Sequence, residues 1–194
     1  DQFLAATARL DSVRAAAGMP QQWHHSELDT RVTGFAIAHT PLAGEGSSMG
    51  MDGKAVSRKL IGDVTQSFFG DLNVFVQPNT WMHFLSDYAV VMRAFPVSPD
   101  RTLVRSTWLV HPDAVEGVDY DLDTLTEMWI ATNDEDRSFV EKAHRGASDP
   151  GYLPGPYGTV EYEVEAFASW YIQRMRNHFG INCDHLDLAS RPAG

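Results

Sequence analysis

The first residue of chemical interest in this sequence is a carboxylate set where a helix should be apolar. In and just before the stretch WIATNDEDRSFVEKAHRG (residues 129–146), Leu122, Leu125, Trp129, Thr132, Asp136, Phe139, Val140 and Ala143 recur at helical spacing. The period turns Asp136 inward, where an ionised carboxylate costs on the order of several kcal/mol unless a cation, strong donors or a metal compensates it. A second reading stays open, because Thr132-Asn133-Asp134 could restart a helix and leave Asp136 solvated in its first turn. His83 is the next candidate: alternation puts Trp81, His83 and Leu85 on one face of a strand and Met82 and Phe84 on the other. A histidine among aromatics either meets a ligand or is a hydrogen-bonded core residue. The adjacent pair His24-His25 points in two directions on any regular backbone, which favours exposure over joint metal ligation.

The elements that must carry these residues can be read from the punctuation. Residues 2–17 are rich in alanine and leucine and predict a peripheral helix stopped by Gly18 and Pro20. From Arg31 the texture turns to β, and Asp52-Gly53 predicts a hairpin turn. Three or four further strands are expected over 71–77, 80–86, 88–97 and 102–111, joined by short turns such as Gln77-Pro78-Asn79 and Ser98-Pro99-Asp100-Arg101. Links this short allow only antiparallel neighbours, so the middle of the chain is a meander. Asp119-Tyr120-Asp121 offers caps for a helix from about 122. The Gly- and Pro-crowded link 146–158 is irregular, and Thr159 opens a last helix to about Phe179, with an irregular tail from Gly180. The fold class is α+β: a curved antiparallel sheet packed on long helices, able to enclose an apolar pocket with Asp136 on its wall.

Composition narrows the function. The 194 residues suffice for one core, and 43 % hydrophobic with 21 % charged residues is the make-up of a soluble globular domain. A net charge of -11, from 15 basic and 26 acidic side chains, disfavours nucleic acid and suits a cationic small molecule. The lone Cys183 excludes an internal disulfide framework, which fits a reducing, cytoplasmic setting. No apolar run approaches the roughly 20 residues that cross a bilayer. The chain opens at Asp1 inside a helix already under way, so a further segment upstream is expected.

Four ordered stretches carry a family resemblance: WLVHPDAVEGVDYD at 108–121, TNDEDR at 132–137, YLPGPY at 152–157 and FASWY at 167–171. Together they resemble the catalytic domain of Rieske-type non-haem iron oxygenase alpha subunits, and are most similar to the branch acting on choline, glycine betaine, carnitine or stachydrine. The resemblance implies a helix-grip catalytic domain with one mononuclear Fe(II) held by two histidines and an aspartate. By position in the acidic run, with Glu141 five residues on, that aspartate is Asp136. It also implies O2 as co-substrate, a Rieske 2Fe-2S cluster, an NAD(P)H-dependent flavin or ferredoxin reductase as partner, and a homotrimer. One cysteine cannot ligate the cluster, and no His-x-x-x-x-His stands here to supply the iron histidines. Residues 1–194 are therefore expected to be part of the catalytic domain, with the Rieske domain and histidine pair outside this chain.

Quaternary ammonium groups donate no ordinary hydrogen bond, so aromatic faces must bind them. Trp81, Trp108, Trp129 and Tyr120 are available, and the substrate side is expected at Trp81, His83 and Trp108. The expected reaction is hydroxylation of a carbon attached to nitrogen. Two rival readings are an aromatic-ring dioxygenase and a helix-grip domain that binds a small molecule without chemistry.

Overall fold

A computed structural model describes residues 2–19, 34–43, 45–158 and 161–181. The elements run α1 (Gln2–Ala16), β1 (Phe35–Thr40), β2 (Asp71–Val76), β3 (Thr80–Phe84), β4 (Tyr88–Ser98), β5 (Arg101–Val110), α2 (Leu122–Ala147) and α3 (Tyr162–Phe179). The strands form one five-stranded sheet in the order β1-β2-β3-β4-β5, every pair antiparallel, so the meander and the α+β class are as expected. His24-His25 and Cys183 lie outside the described residues. No helix among the described residues is long and apolar enough to cross a membrane.

Asp52-Gly53 turns the chain without making a hairpin. Gly53 has φ 76°, and Ser47 N donates to Gly53 O at 2.8 Å, yet no strand flanks the turn. The reason lies in Asp87, fully buried after β3. Its carboxylate accepts from Ser48 Oγ, from Val56 N at 2.6 Å and from Ser57 N at 3.0 Å. Those donors serve a side chain, so the segment is tied to the sheet as a loop.

Two clusters form the core. Leu125 and Trp129 of α2 pack on Leu85, Tyr88 and Val90. Leu10 and Val13 of α1 pack on Leu42 and Phe68, so α1 builds a core of its own where a peripheral helix was expected. Truncating a buried leucine at either site costs about 2–5 kcal/mol. Arg14, also buried, fastens α1 to β1: one terminal guanidinium nitrogen donates to His39 O at 2.6 Å and the other to Asp11 Oδ1 at 3.1 Å. Gly70 closes the corner at φ 84°, where a Cβ would stand 2.8 Å from Thr40 O and 2.8 Å from Leu10 Cδ1.

Asp121 caps α2 by accepting from Thr124 N at 3.0 Å. The helix then runs unbroken for 26 residues, about 39 Å, so Thr132-Asn133-Asp134 does not restart it. α3 ends on Gly180 in the left-handed conformation at φ 62°. It meets the sheet through Phe167, 6.4 Å from Phe75, and through Trp170, whose Nε1 would lie 3.1 Å from a Cβ on Gly34. The link before it is irregular, as expected.

Candidate substrate face and the family it belongs to

Register decides which side chains share a surface. Ala38, Asn73, His83, Val90 and Trp108 are successive cross-strand partners from β1 to β5. The neighbouring row is Ala36, Phe75, Trp81, Met92 and Ser106. Rows two residues apart share a face, so Trp81, His83 and Trp108 all belong to one side of the sheet. At about 4.8 Å per strand, His83 and Trp108 stand about 10 Å apart at the backbone, with Val90 between them. Both long helices lie on this side: the ring of Trp129 is 4.6 Å from that of His83, and Asn133 Nδ2 donates to Ser106 Oγ at 3.4 Å. Trp81 is half-exposed and stacks on Phe75 at 5.4 Å, and Phe75 leads on to Phe167 of α3.

The polar groups on this face are few and specific. Asp71, buried at the start of β2, lies 3.0 Å from His83 Nδ1 through Oδ2 and 3.3 Å through Oδ1. A carboxylate only accepts, so Nδ1 carries the proton, and Nε2 is left without a hydrogen-bond partner among the described residues. Trp108 buries its indole N–H, also without a partner among the described residues. Tyr88, one row further, accepts from Trp129 Nε1 at 2.7 Å and donates to Met49 O at 3.0 Å. Burial pushes its phenol well above the ordinary range, against the opposing pull of the Trp129 bond.

His39 provides the contrast. It sits on the opposite face, where Nε2 donates to Phe69 O at 2.7 Å and Nδ1 accepts from Arg14 Nε at 3.4 Å. Both nitrogens are engaged, and burial pulls its pKa below 6.5, the backbone bond to Phe69 opposing. His39 is the hydrogen-bonded core histidine; His83 has one nitrogen to spare.

Asp136 does not sit where helical spacing turned it. It is exposed, as is every residue of α2 after Asn133, including Phe139 at 73 % and Val140 at 57 %. The stripe itself is present, with Leu125 and Trp129 buried and Thr132 half-buried, but the described residues lay no partner over its second half. The inward reading assumed a covering layer along the whole helix. Among the described residues, no three His, Cys, Asp or Glu side chains could hold a metal ion together, so these residues by themselves do not fit an iron site.

A cleft of about 710 Å³ opens at α2's cap, between Val56, Arg58 and Leu60 and the turn at Val118, Tyr120 and Thr124. Tyr120 borders it, but Trp81, His83 and Trp108 do not. Sequence reasoning missed Asp71 entirely. Its only sequence signal is an acid two residues before Asn73 in an apolar strand, and the partner on the neighbouring strand β3 emerges only with the register.

The sequence pattern described as ring hydroxylating alpha subunit (catalytic domain) matches residues 9–177. The chain belongs to this family. The matched stretch of this alpha-subunit chain holds the whole sheet, α2 and nearly all of α3. Its antiparallel sheet with helices laid on one face agrees with the helix-grip architecture expected above. The chain is 43 % identical over 151 residues to the glycine betaine monooxygenase oxygenase subunit of two strains of Pseudomonas aeruginosa, covering 77 % of this chain and 35 % of each relative. It is also 43 % identical over 153 residues to the protein of that name from Chromohalobacter salexigens, covering 78 % and 34 %. The chain thus spans about a third of the length of the curated relatives it matches.

Proposed function

We propose that this chain is the catalytic-domain part of an iron-dependent monooxygenase that hydroxylates an N-methyl carbon of a quaternary ammonium compound, with glycine betaine as the substrate. O2 takes two electrons and two protons, one oxygen atom enters the C–H bond and the other leaves as water. The hemiaminal then falls apart to formaldehyde and the demethylated amine. The observation that carries this reading is the 43 % identity to proteins named for glycine betaine.

The sheet face supports it chemically. Trp81, Phe75 and Phe167 offer aromatic rings in one cluster, and each ring facing an ammonium is worth about 0.5–2 kcal/mol. The work of this chain's residues is to bind and orient the cation. Trp81 and Trp108 border the substrate, and Trp129 holds the His83 ring from above.

Asp136 is the proposed iron ligand of this chain, on the strength of its place in the acidic run. Iron would need further donors, two histidines by the resemblance, and bound there it would supply oxygen activation. The 2Fe-2S cluster, an NAD(P)H-dependent flavin or ferredoxin reductase, a homotrimeric assembly and a cytoplasmic location complete the proposal. The test is the complete enzyme with reductase, NADH and oxygen. Formaldehyde and demethylated amine formed from glycine betaine support the reading, whereas a diol formed from a simple arene, with glycine betaine untouched, replaces it with a ring dioxygenase.

A further inference from the structure

We propose that the Asp71–His83 pair is an anion anchor that makes the site select a zwitterion, binding the carboxylate of the substrate while the aromatic cluster takes its ammonium end; this rests on the function proposed above. Asp71 holds Nδ1–H from one side, at 3.0 and 3.3 Å, which fixes the ring and presents Nε2 away from the carboxylate. The Trp129 ring, 4.6 Å away, restricts the imidazole further. Nε2 has no partner among the described residues, and the side chain keeps 20 % of its surface. As an imidazolium the ring gives one N–H to Asp71 and the other, Nε2–H, to the incoming anion in a charge-assisted hydrogen bond.

The spacing suits a short zwitterion. Trp81 lies two residues from His83 on the same strand face, about 7 Å along the strand, with its ring on Phe75. A cation against those rings and a carboxylate at His83 thus fall on neighbouring rows of one surface. Trp108, across Val90 from His83, adds a second unspent donor on the same row. Asp71 is the positioning residue, acting through His83 and not touching the substrate.

The test compares glycine betaine with choline, which keeps the ammonium and lacks the carboxylate, by calorimetric Kd and by KM and kcat on the complete enzyme. Asparagine at 83 places an amide nitrogen near the Nδ1 position and loses the distal donor; glutamine reaches the Nε2 position. His83→Asn should weaken glycine betaine about ten- to hundredfold in Kd and KM with kcat little changed, leave choline as it was, and be partly rescued by His83→Gln. Asp71→Asn, whose amide oxygen still accepts Nδ1–H, should keep more of the preference than Asp71→Ala. If glycine betaine and choline weaken together, or neither changes in a folded His83→Asn enzyme, the anchor is wrong while the function stands. If the wild-type enzyme neither binds nor turns over either compound, the function fails and takes the anchor with it.

Discussion

Trp129 of α2 donates its indole N–H to the Tyr88 hydroxyl at 2.7 Å, and that hydroxyl donates onward to Met49 O at 3.0 Å. One fully buried phenol therefore joins the long helix, the fourth strand and the loop between β1 and β2. Tyr88→Phe keeps the ring and removes both bonds, leaving a buried N–H and a partly buried carbonyl without these partners. The expected loss is about 1–3 kcal/mol in urea unfolding. A midpoint equal to wild type would mean that the helix is held by Leu125 and Trp129 packing alone.

Asp87 does for the 48–57 loop what Tyr88 does for the helix. Its carboxylate takes the Ser48 hydroxyl and the Val56 and Ser57 amides, and nothing else described satisfies those groups. Asp87→Ala is expected to cost about 3 kcal/mol or more and to raise amide exchange at Val56 and Ser57. Asp87→Asn, which keeps one acceptor but turns an amide donor toward another donor, should fall between. Wild-type exchange rates at those two amides in the alanine variant would contradict the assignment.

Four of the strands and both long helices were legible because local chemistry marks their ends. Gln77-Pro78-Asn79 and Ser98-Pro99-Asp100 cannot continue a strand, and Asp121 reads as a cap before any apolar period begins. The substrate face was half legible: alternation placed Trp81 with His83, but Trp108 joins them through two pairings that only the register supplies. Asp71 was invisible for the same reason. The inward reading of Asp136 fails differently. A helical period tells which side of a helix is apolar, not whether another layer lies against it, and the described chain covers that side only as far as Asn133. Asp52-Gly53 likewise carries the geometry of a turn, while the use of the flanking donors by Asp87 lies outside any local window.

His39 makes the protein sensitive to mild acid. Burial lowers its pKa from the ordinary 6.5 of the unfolded chain. Below 6.5 the unfolded state therefore binds more protons than the native state, and stability falls with pH until the lowered value is reached. The full contribution is present above 6.5 and is lost on acidification. Urea midpoints measured from pH 7.5 down to about 5 should fall in the wild type, and fall less steeply in His39→Asn, since asparagine does not titrate there. Parallel pH profiles for the two proteins would remove His39 as the source.

Asp136 allows a clean separation of structure from chemistry because it is exposed. A surface carboxylate with no described hydrogen bond or ion pair contributes within about 0.5 kcal/mol to folding, so Asp136→Asn should leave the unfolding midpoint where it was. In the complete enzyme, a carboxylate that ligates iron has no substitute in an amide, and iron content measured by elemental analysis should drop at least tenfold, with turnover following it. Asp134→Asn is the control: Asp134 is also exposed, two residues away, and paired with Arg137 at 3.1 Å. That variant should lose neither iron nor turnover. If both variants retain iron, the acidic run is only a solvated helix face; if both lose it equally, the site depends on the charge of the run and not on one ligand. Loss confined to position 136, with folding unchanged, would identify Asp136 as the donor this chain gives to the metal.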